Sequence, residues 1–213
     1  MSDRPSVGVE ARTLPFITAA LGQSDSGVFG GAIRVAAVLF VTALTAAAAQ
    51  ISVPLPFTPV PFTFQPMVVL LGGALLGARL GAVSQVLYLA LGLAGVPVFA
   101  ASAVLPQGPA RLLGPTGGYL MAYPFAAYVT GWLAERGFDR RYLTAVIAMG
   151  AGLLVVFACG VLWLARGLSS TGGGFSTALS AGFYPFVIAD VVKLCLAASI
   201  LPALWRLTGL GRA

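Results

Sequence analysis

The sequence predicts an all-α membrane protein with six transmembrane helices and both termini in the cytoplasm. Three observations carry this. Of 213 residues, 59% are hydrophobic and only 8% are charged, against about a quarter charged in soluble domains. Apolar stretches recur near the length of about 20 residues that crosses a hydrocarbon core. The basic residues then fall almost entirely on one side of the resulting topology, as the positive-inside rule requires.

Residues 1–30 read as an N-terminal cytoplasmic or interfacial segment, with 13–21 (TLPFITAAL) suited to a short helix lying at the interface. No small-residue cleavage site follows an apolar core, so no cleaved signal peptide is expected. Residues 31–207 form the six-helix transmembrane domain, and 208–213 form a C-terminal tail. The first span is expected over 32–50. A charge-free loop follows, in which Pro54, Pro56, Pro59 and Pro61 remove backbone donors and forbid a regular helix. Spans two and three are expected over 65–78 and 80–95, separated at Arg79. A long connection over 96–113 carries Pro97, Pro106 and Pro109. Spans four, five and six are expected over 115–134, 142–165 and 177–205. The charged loop with Glu135, Arg136, Asp139, Arg140 and Arg141 precedes span five, and a Gly/Ser-rich loop (SSTGGG) precedes span six.

With the N-terminus inside, the cytoplasmic face holds Arg4, Arg12, Arg34, Arg79, Arg136, Arg140, Arg141, Arg206 and Arg212, and the outer face holds Arg111 and Arg166. This asymmetry explains the net charge of +6 better than nucleic acid does, because the cations form no patch interleaved with exposed aromatics. No nucleic-acid partner is expected; the partner surface is membrane lipid.

Other classes fall away on residue inventory. Histidine is absent, which removes Ser-His and Cys-His catalysis and makes a zinc or haem site unexpected. Cys159 and Cys195 sit in apolar runs and read as buried thiols. No GxxxxGK[ST] loop is present, so an energy source for uphill work lies in a partner or an ion. An intramembrane enzyme with Asp190 as acid/base lacks any nucleophile-base constellation. The chain reads as a non-enzyme with no catalytic residues.

The remaining basic residue is Lys193, the only lysine, three positions after Asp190 in the sixth span. At this spacing the two side chains share one helix face. Charge in hydrocarbon is expensive and usually faces a cavity or a partner. The pair suits a small zwitterion, a carboxylate, or a ring with donors beside an acceptor; its structural alternative is a self-neutralising pair that holds helix six in place. Gln65, Gln85, Tyr88, Tyr119 and Tyr123 add polar groups in spans two to four, with helix-helix bonding as their ordinary role. GPTGGYL (114–120) opens span four with Pro115 suited to a first turn and glycines suited to close backbone approach. Its amides, Gly117 among them, could receive an anion or carbonyl; tight packing explains the glycines equally well.

Four blocks resemble the BioY family, the biotin-binding membrane subunits of energy-coupling factor transporters. They are VPLPFTPVPFTFQP (53–66), LLGGALLGARLGAVSQVLYLALGLAGVPVFA (70–100), GPTGGYL (114–120) and the Asp190/Lys193 pair. The resemblance implies six helices and one biotin bound near the outer face, with biotin as ligand and no cofactor. It implies Asp190 accepting from the ureido N–H groups and Lys193 donating to the ureido oxygen, or the reverse pose with Lys193 on the carboxylate. Tyr88 and Phe99 suit the apolar bicycle and chain, and Gln65 and Tyr119 join the site. Arg111 or amides near Gly117 suit the carboxylate. Some family members carry Arg straight after GPTGGY, where this chain has Leu120, and an outer-loop Asn, for which Gln107 is the substitute here. The resemblance further implies a transmembrane coupling protein and two ATPase subunits, contacted through small residues of the first helix such as Ala43 and Ala47. A solitary or homo-oligomeric biotin transporter, and an ion-coupled carrier of another small carboxylate, are the alternatives.

Overall fold

The computed structural model describes residues 16, 19, 28–102, 105–169 and 172–208. The expected interfacial helix over 13–21 and most of the C-terminal tail therefore lie outside the described residues, apart from Phe16 and Ala19, which are helical. The described elements are α1 (Val28–Gln50), β1 (Ser52–Val53), β2 (Phe62–Thr63), α2 (Gln65–Leu93), α3 (Pro109–Leu113), α4 (Gly117–Ala134), α5 (Tyr142–Ser169), α6 (Phe175–Gly182) and α7 (Tyr184–Thr208).

Among the described residues, four helical elements meet the length and hydropathy for crossing a membrane, Gly30–Gln50 within α1, α2, α5 and α7, of which α2 does so only when its two parts on either side of Gly77 are taken together. Helix α4 has 18 residues, but its three tyrosines, Trp132 and Pro124 make it less apolar. Large side chains such as Phe40, Leu154 and Ile188 point outward from α1, α5 and α7 with 67%, 67% and 77% of their surface exposed. An apolar exterior of this kind requires lipid rather than water around it.

The expected break between spans two and three takes an unexpected form. Helical hydrogen bonding is assigned through α2, but Gly77 adopts φ 82°, ψ 176°, a conformation that L side chains rarely adopt and that suits glycine. The chain reverses there. The Cβ position of Gly81 lies against Gly73 Cα, and both glycines face the Ala127 carbonyl of α4. Gly131 packs on the Gly77 turn itself. Element α2 is therefore a helical hairpin with arms 65–76 and 78–93, and the turn residue is Gly77 rather than Arg79, which is exposed. Glu135, from the loop after α4, accepts from the Ala78 N–H at 2.9 Å, satisfying an orphan donor at the start of the second arm.

The sixth expected span, 177–205, is also divided. Phe183 leaves helical geometry with φ −124°, ψ −62°, and α7 restarts with Pro185 in its first turn, where the missing N–H costs nothing. The Pro-rich loop forms no helix, as expected, but its ends pair as an antiparallel ribbon, Ser52 opposite Thr63 and Val53 opposite Phe62. The 96–113 connection contains the short helix α3, which begins at Pro109 after Gly108 (φ 100°).

Helix α4 lies between the hairpin and α5, α1 packs along the hairpin, and α7 closes against α5 and the hairpin. Thr42 donates to the Ser84 carbonyl at 2.9 Å, tying α1 to the second arm. Near the C-terminal end of α7, Trp205 donates to Asp139 Oδ2 at 2.7 Å, and the Arg140 guanidinium sits 3.7 Å over the Trp205 ring. Burial raises the Asp139 carboxyl above its ordinary value, opposed by the Trp205 hydrogen bond and by Arg140. The two cysteines depart from expectation: Cys159 is exposed and Cys195 half-buried. An apolar run in a membrane protein has a lipid-facing side, so burial does not follow from hydrophobic neighbours.

Candidate functional site

One cavity brings together residues from the Pro-rich loop and β2, the start of α2, the 96–113 connection with α3, and α4, α5 and α7. Its free volume is about 60 Å³. Its polar lining includes Thr63, Gln65, Arg111, Thr116, Tyr119, Tyr123 and Asp190; Val60, Pro61, Phe99, Leu120, Phe157 and Phe186 supply much of the apolar wall.

Each helix contributes by its periodicity. Thr116, Tyr119, Leu120 and Tyr123 follow i, i+3, i+4, i+7 spacing and share one face of α4. Phe186 and Asp190, four apart, do the same on α7. Gln65 opens the first arm of the hairpin, and Val60, Pro61 and Thr63 bring the Pro-rich strap over the cavity. The strap is anchored at a second point, where Thr58 donates to the Ala181 carbonyl at 2.5 Å.

The expected pair forms. Asp190 and Lys193, 8% and 6% exposed, make an ion pair. Only Asp190 lines the cavity. The Lys193 ammonium donates to the Thr63 carbonyl at 2.7 Å and lies 4.0 Å from the Phe62 ring centroid, a cation-π contact. Lys193 thus joins α7 to the strap while holding a counter-charge behind Asp190.

The other expected residues divide. Gln65, Phe99, Arg111 and Tyr119 line the cavity. The Tyr119 hydroxyl donates to the Gly182 carbonyl at 2.8 Å, with its ring packed where a side chain on Gly160 would sit. Tyr88 lies behind the wall, fully buried; it accepts from Gln65 Nε2 at 2.7 Å, donates to the Val98 carbonyl at 3.2 Å, and meets Phe99 edge-to-face at 5.5 Å. Gln107 donates to the Phe99 carbonyl at 3.2 Å and does not line the cavity. Gly117 corrects an expectation: its amide donates to the Gly114 carbonyl at 3.0 Å, and Leu112 occupies its Cβ position. Its role is close packing, and its N–H is already used.

Arg111 is 5% exposed. Its guanidinium donates to the Ala100 carbonyl, while its buried Nε has no partner. Burial lowers its pKa from the ordinary value.

Val156, Phe157 and Phe186 were not foreseen, because an apolar residue facing a cavity and one facing lipid look alike in a sequence. Thr116, Leu120 and Tyr123 carried a signal in their helical spacing around GPTGGYL. Ala43 and Ala47 are on the exposed side of α1, while Ala48 and Ala49 pack inward.

Comparison with known proteins agrees with this architecture. Residues 21–209 match the model of the BioY family. The chain is 42% identical over 167 residues to the probable biotin transporter BioY of Pyrococcus horikoshii, covering 78% of this chain and 93% of that one. It is 40% identical over 160 residues to the biotin transporter BioY of Thermotoga maritima, covering 75% and 88%. Its fold matches the crystal structure of the S-component for biotin from an ECF-type ABC transporter, with TM-score 0.74 and 26% identity over 84% of this chain and 94% of that one. A family match across nearly the whole membrane domain, joined to this cavity, places the chain in the BioY family.

Proposed function

We propose that this protein captures biotin at the outer face of the cytoplasmic membrane, as the substrate-specific subunit of an ATP-driven energy-coupling factor transporter. The observation that carries the reading is the cavity containing Asp190, a buried carboxylate in an otherwise largely apolar wall. Biotin's ureido ring offers two N–H donors, and Asp190 accepts from them. Gln65, whose amide nitrogen is held by Tyr88, adds a carbonyl acceptor. Phe99, Phe157 and Phe186 suit the thioether bicycle and the valeryl chain. Lys193 supplies the counter-charge to Asp190. Its ties to Asp190 and Thr63 favour the pose with the ring at Asp190 over the one with Lys193 on the carboxylate.

In this reading the chain crosses the membrane six times, with 31–207 as the transmembrane domain. The hairpin at Gly77 supports it, because each arm of α2 then counts as one crossing segment and α4 as another. The termini lie inside. The exposed position of Ala43 and Ala47 supports a partner helix docking on α1, since small residues let backbones approach in lipid. That partner is a transmembrane coupling protein carrying two ATPases.

Equilibrium binding of biotin, dethiobiotin and thiamine to the purified protein tests the assignment. Saturable binding of biotin that thiamine does not displace is expected. Folded protein that fails to bind biotin overturns it.

A further inference from the structure

A second cavity lies on the other side of the wall that closes the first. Its free volume is about 380 Å³, against about 60 Å³ at Asp190. The inner figure leaves room for a few water molecules, so a ligand reaches Asp190 only when a wall parts. Pro59 of the strap, Leu113, Gly114 and Pro115 between α3 and α4, and Trp163 and Arg166 near the end of α5 line the outer cavity.

The two cavities share a partition about one residue thick. Pro59 lines the outer cavity, whereas Val60 and Pro61 line the inner one; Pro115 lines the outer cavity, whereas Thr116 lines the inner one. Both places lie between regular elements, where backbone opens at lower cost than in a packed helix. Trp163 Nε1 donates to the Gly114 carbonyl at 2.9 Å and holds the partition to α5. Charge marks the outer cavity as well. In the topology proposed above, Arg166 is the one exposed charged side chain on the outer face among the described residues, since Arg111 is buried. A lone cation at such a recess draws monoanions through the solvent.

We propose that the outer cavity is an encounter site, in which an anionic ligand is held by Arg166 before the partition opens to Asp190. The proposal rests on the biotin reading and adds a route of entry to it. A group used only on the way in lowers the barrier to entry and exit alike, so its loss changes both rates and leaves equilibrium affinity nearly untouched. Arg166 beside Trp163 at a helix end also suits an interfacial anchor, and that role would move neither rate.

The test measures association and dissociation of tritiated biotin with the protein in nanodiscs of neutral phosphatidylcholine. R166Q should slow both rates together by about threefold, the scale of one solvent-screened charge, with Kd changed by less than about twofold. The slowing should fade at about 1 M salt, and association of uncharged biotin amide should be unaffected. G167C adds a side chain to the outer cavity at a position where a Cβ meets no atom within 4 Å. In a variant lacking Cys159 and Cys195, labelling it from outside with a bulky impermeant maleimide should slow both rates by about tenfold or more at unchanged affinity. Rates unaltered by either change overturn the proposal while leaving biotin capture standing, as does an amide slowed as much as the acid by R166Q. Faster dissociation with unaltered association in R166Q also overturns it, because Arg166 would then belong to the final site. Wild-type protein that does not bind biotin overturns the biotin reading and this proposal with it.

Discussion

Gln65 and Tyr88 are 23 residues apart in one helical element, yet their side chains meet in a 2.7 Å hydrogen bond. A straight helix would separate them by about 34 Å. The reversal at Gly77 brings them together, and it sets Gln65 at the cavity wall with Tyr88 directly behind it. Y88F deletes this bond and leaves Gln65 Nε2 and the Val98 carbonyl to find other partners. Thermal unfolding should report a loss of about 1–3 kcal/mol, the cost of buried polar groups left unpaired. An unchanged melting curve would show that the bond contributes nothing.

Asp190 and Lys193 act as one unit, so their substitutions should not add. D190N and K193M should each weaken biotin binding at least about tenfold, from the loss of roughly 1.5–3 kcal/mol of charged hydrogen bonding. The double variant should be weaker than wild type by less than the product of the two factors. Titration calorimetry on folded protein checks both statements, and strictly multiplicative effects would argue against a coupled pair.

Close backbone contact at the hairpin is tested by two glycines with opposite surroundings. A Cβ on Gly73 would meet the Ala127 backbone, whereas one on Gly150 meets nothing. G73A should destabilise by about 1–3 kcal/mol or more through overpacking. G150A should be neutral or stabilise by up to about 1 kcal/mol, as for any glycine replaced in a helix interior. Similar stability of the two variants would refute the packing of α4 on the hairpin.

Asp139 gives a pH dependence. Burial raises its pKa above the ordinary 3.8, so between that value and the raised one the folded state binds more protons than the unfolded state. Its contribution to stability is therefore fully present below the unfolded pKa and falls as pH rises through the folded one. D139N, which retains an oxygen acceptor for Trp205, should lack this decline. Melting temperatures of both proteins across the acid range provide the measurement; parallel curves would dismiss the effect.

Orientation can be read by labelling single cysteines placed in a variant lacking Cys159 and Cys195. F57C on the exposed strap should react with an impermeant maleimide from outside, and R141C only from inside. The opposite pattern would invert the topology.

The sequence by itself determined the solvent, the helical class and the charges that matter. With 8% of residues charged, a membrane interior leaves little room for ambiguity, and an Asp and Lys one helical turn apart in an apolar run stand out. Helix boundaries were legible where a local signal existed, as in the Pro-rich loop, and less so where one glycine acts. Gly77 looks like several other glycines of the 70–100 block, and only its packing against Gly131 fixes it as the turn. Tertiary structure alone decided which face of each helix meets the cavity. It separated Asp190, which lines the site, from Lys193, which ties α7 to the strap. It set Tyr88 behind Gln65 and brought Arg111 from a loop to the wall. These outcomes depend on contacts between residues distant in sequence, and in lipid the inward and outward faces of a helix are both apolar, so hydrophobic pattern cannot tell them apart.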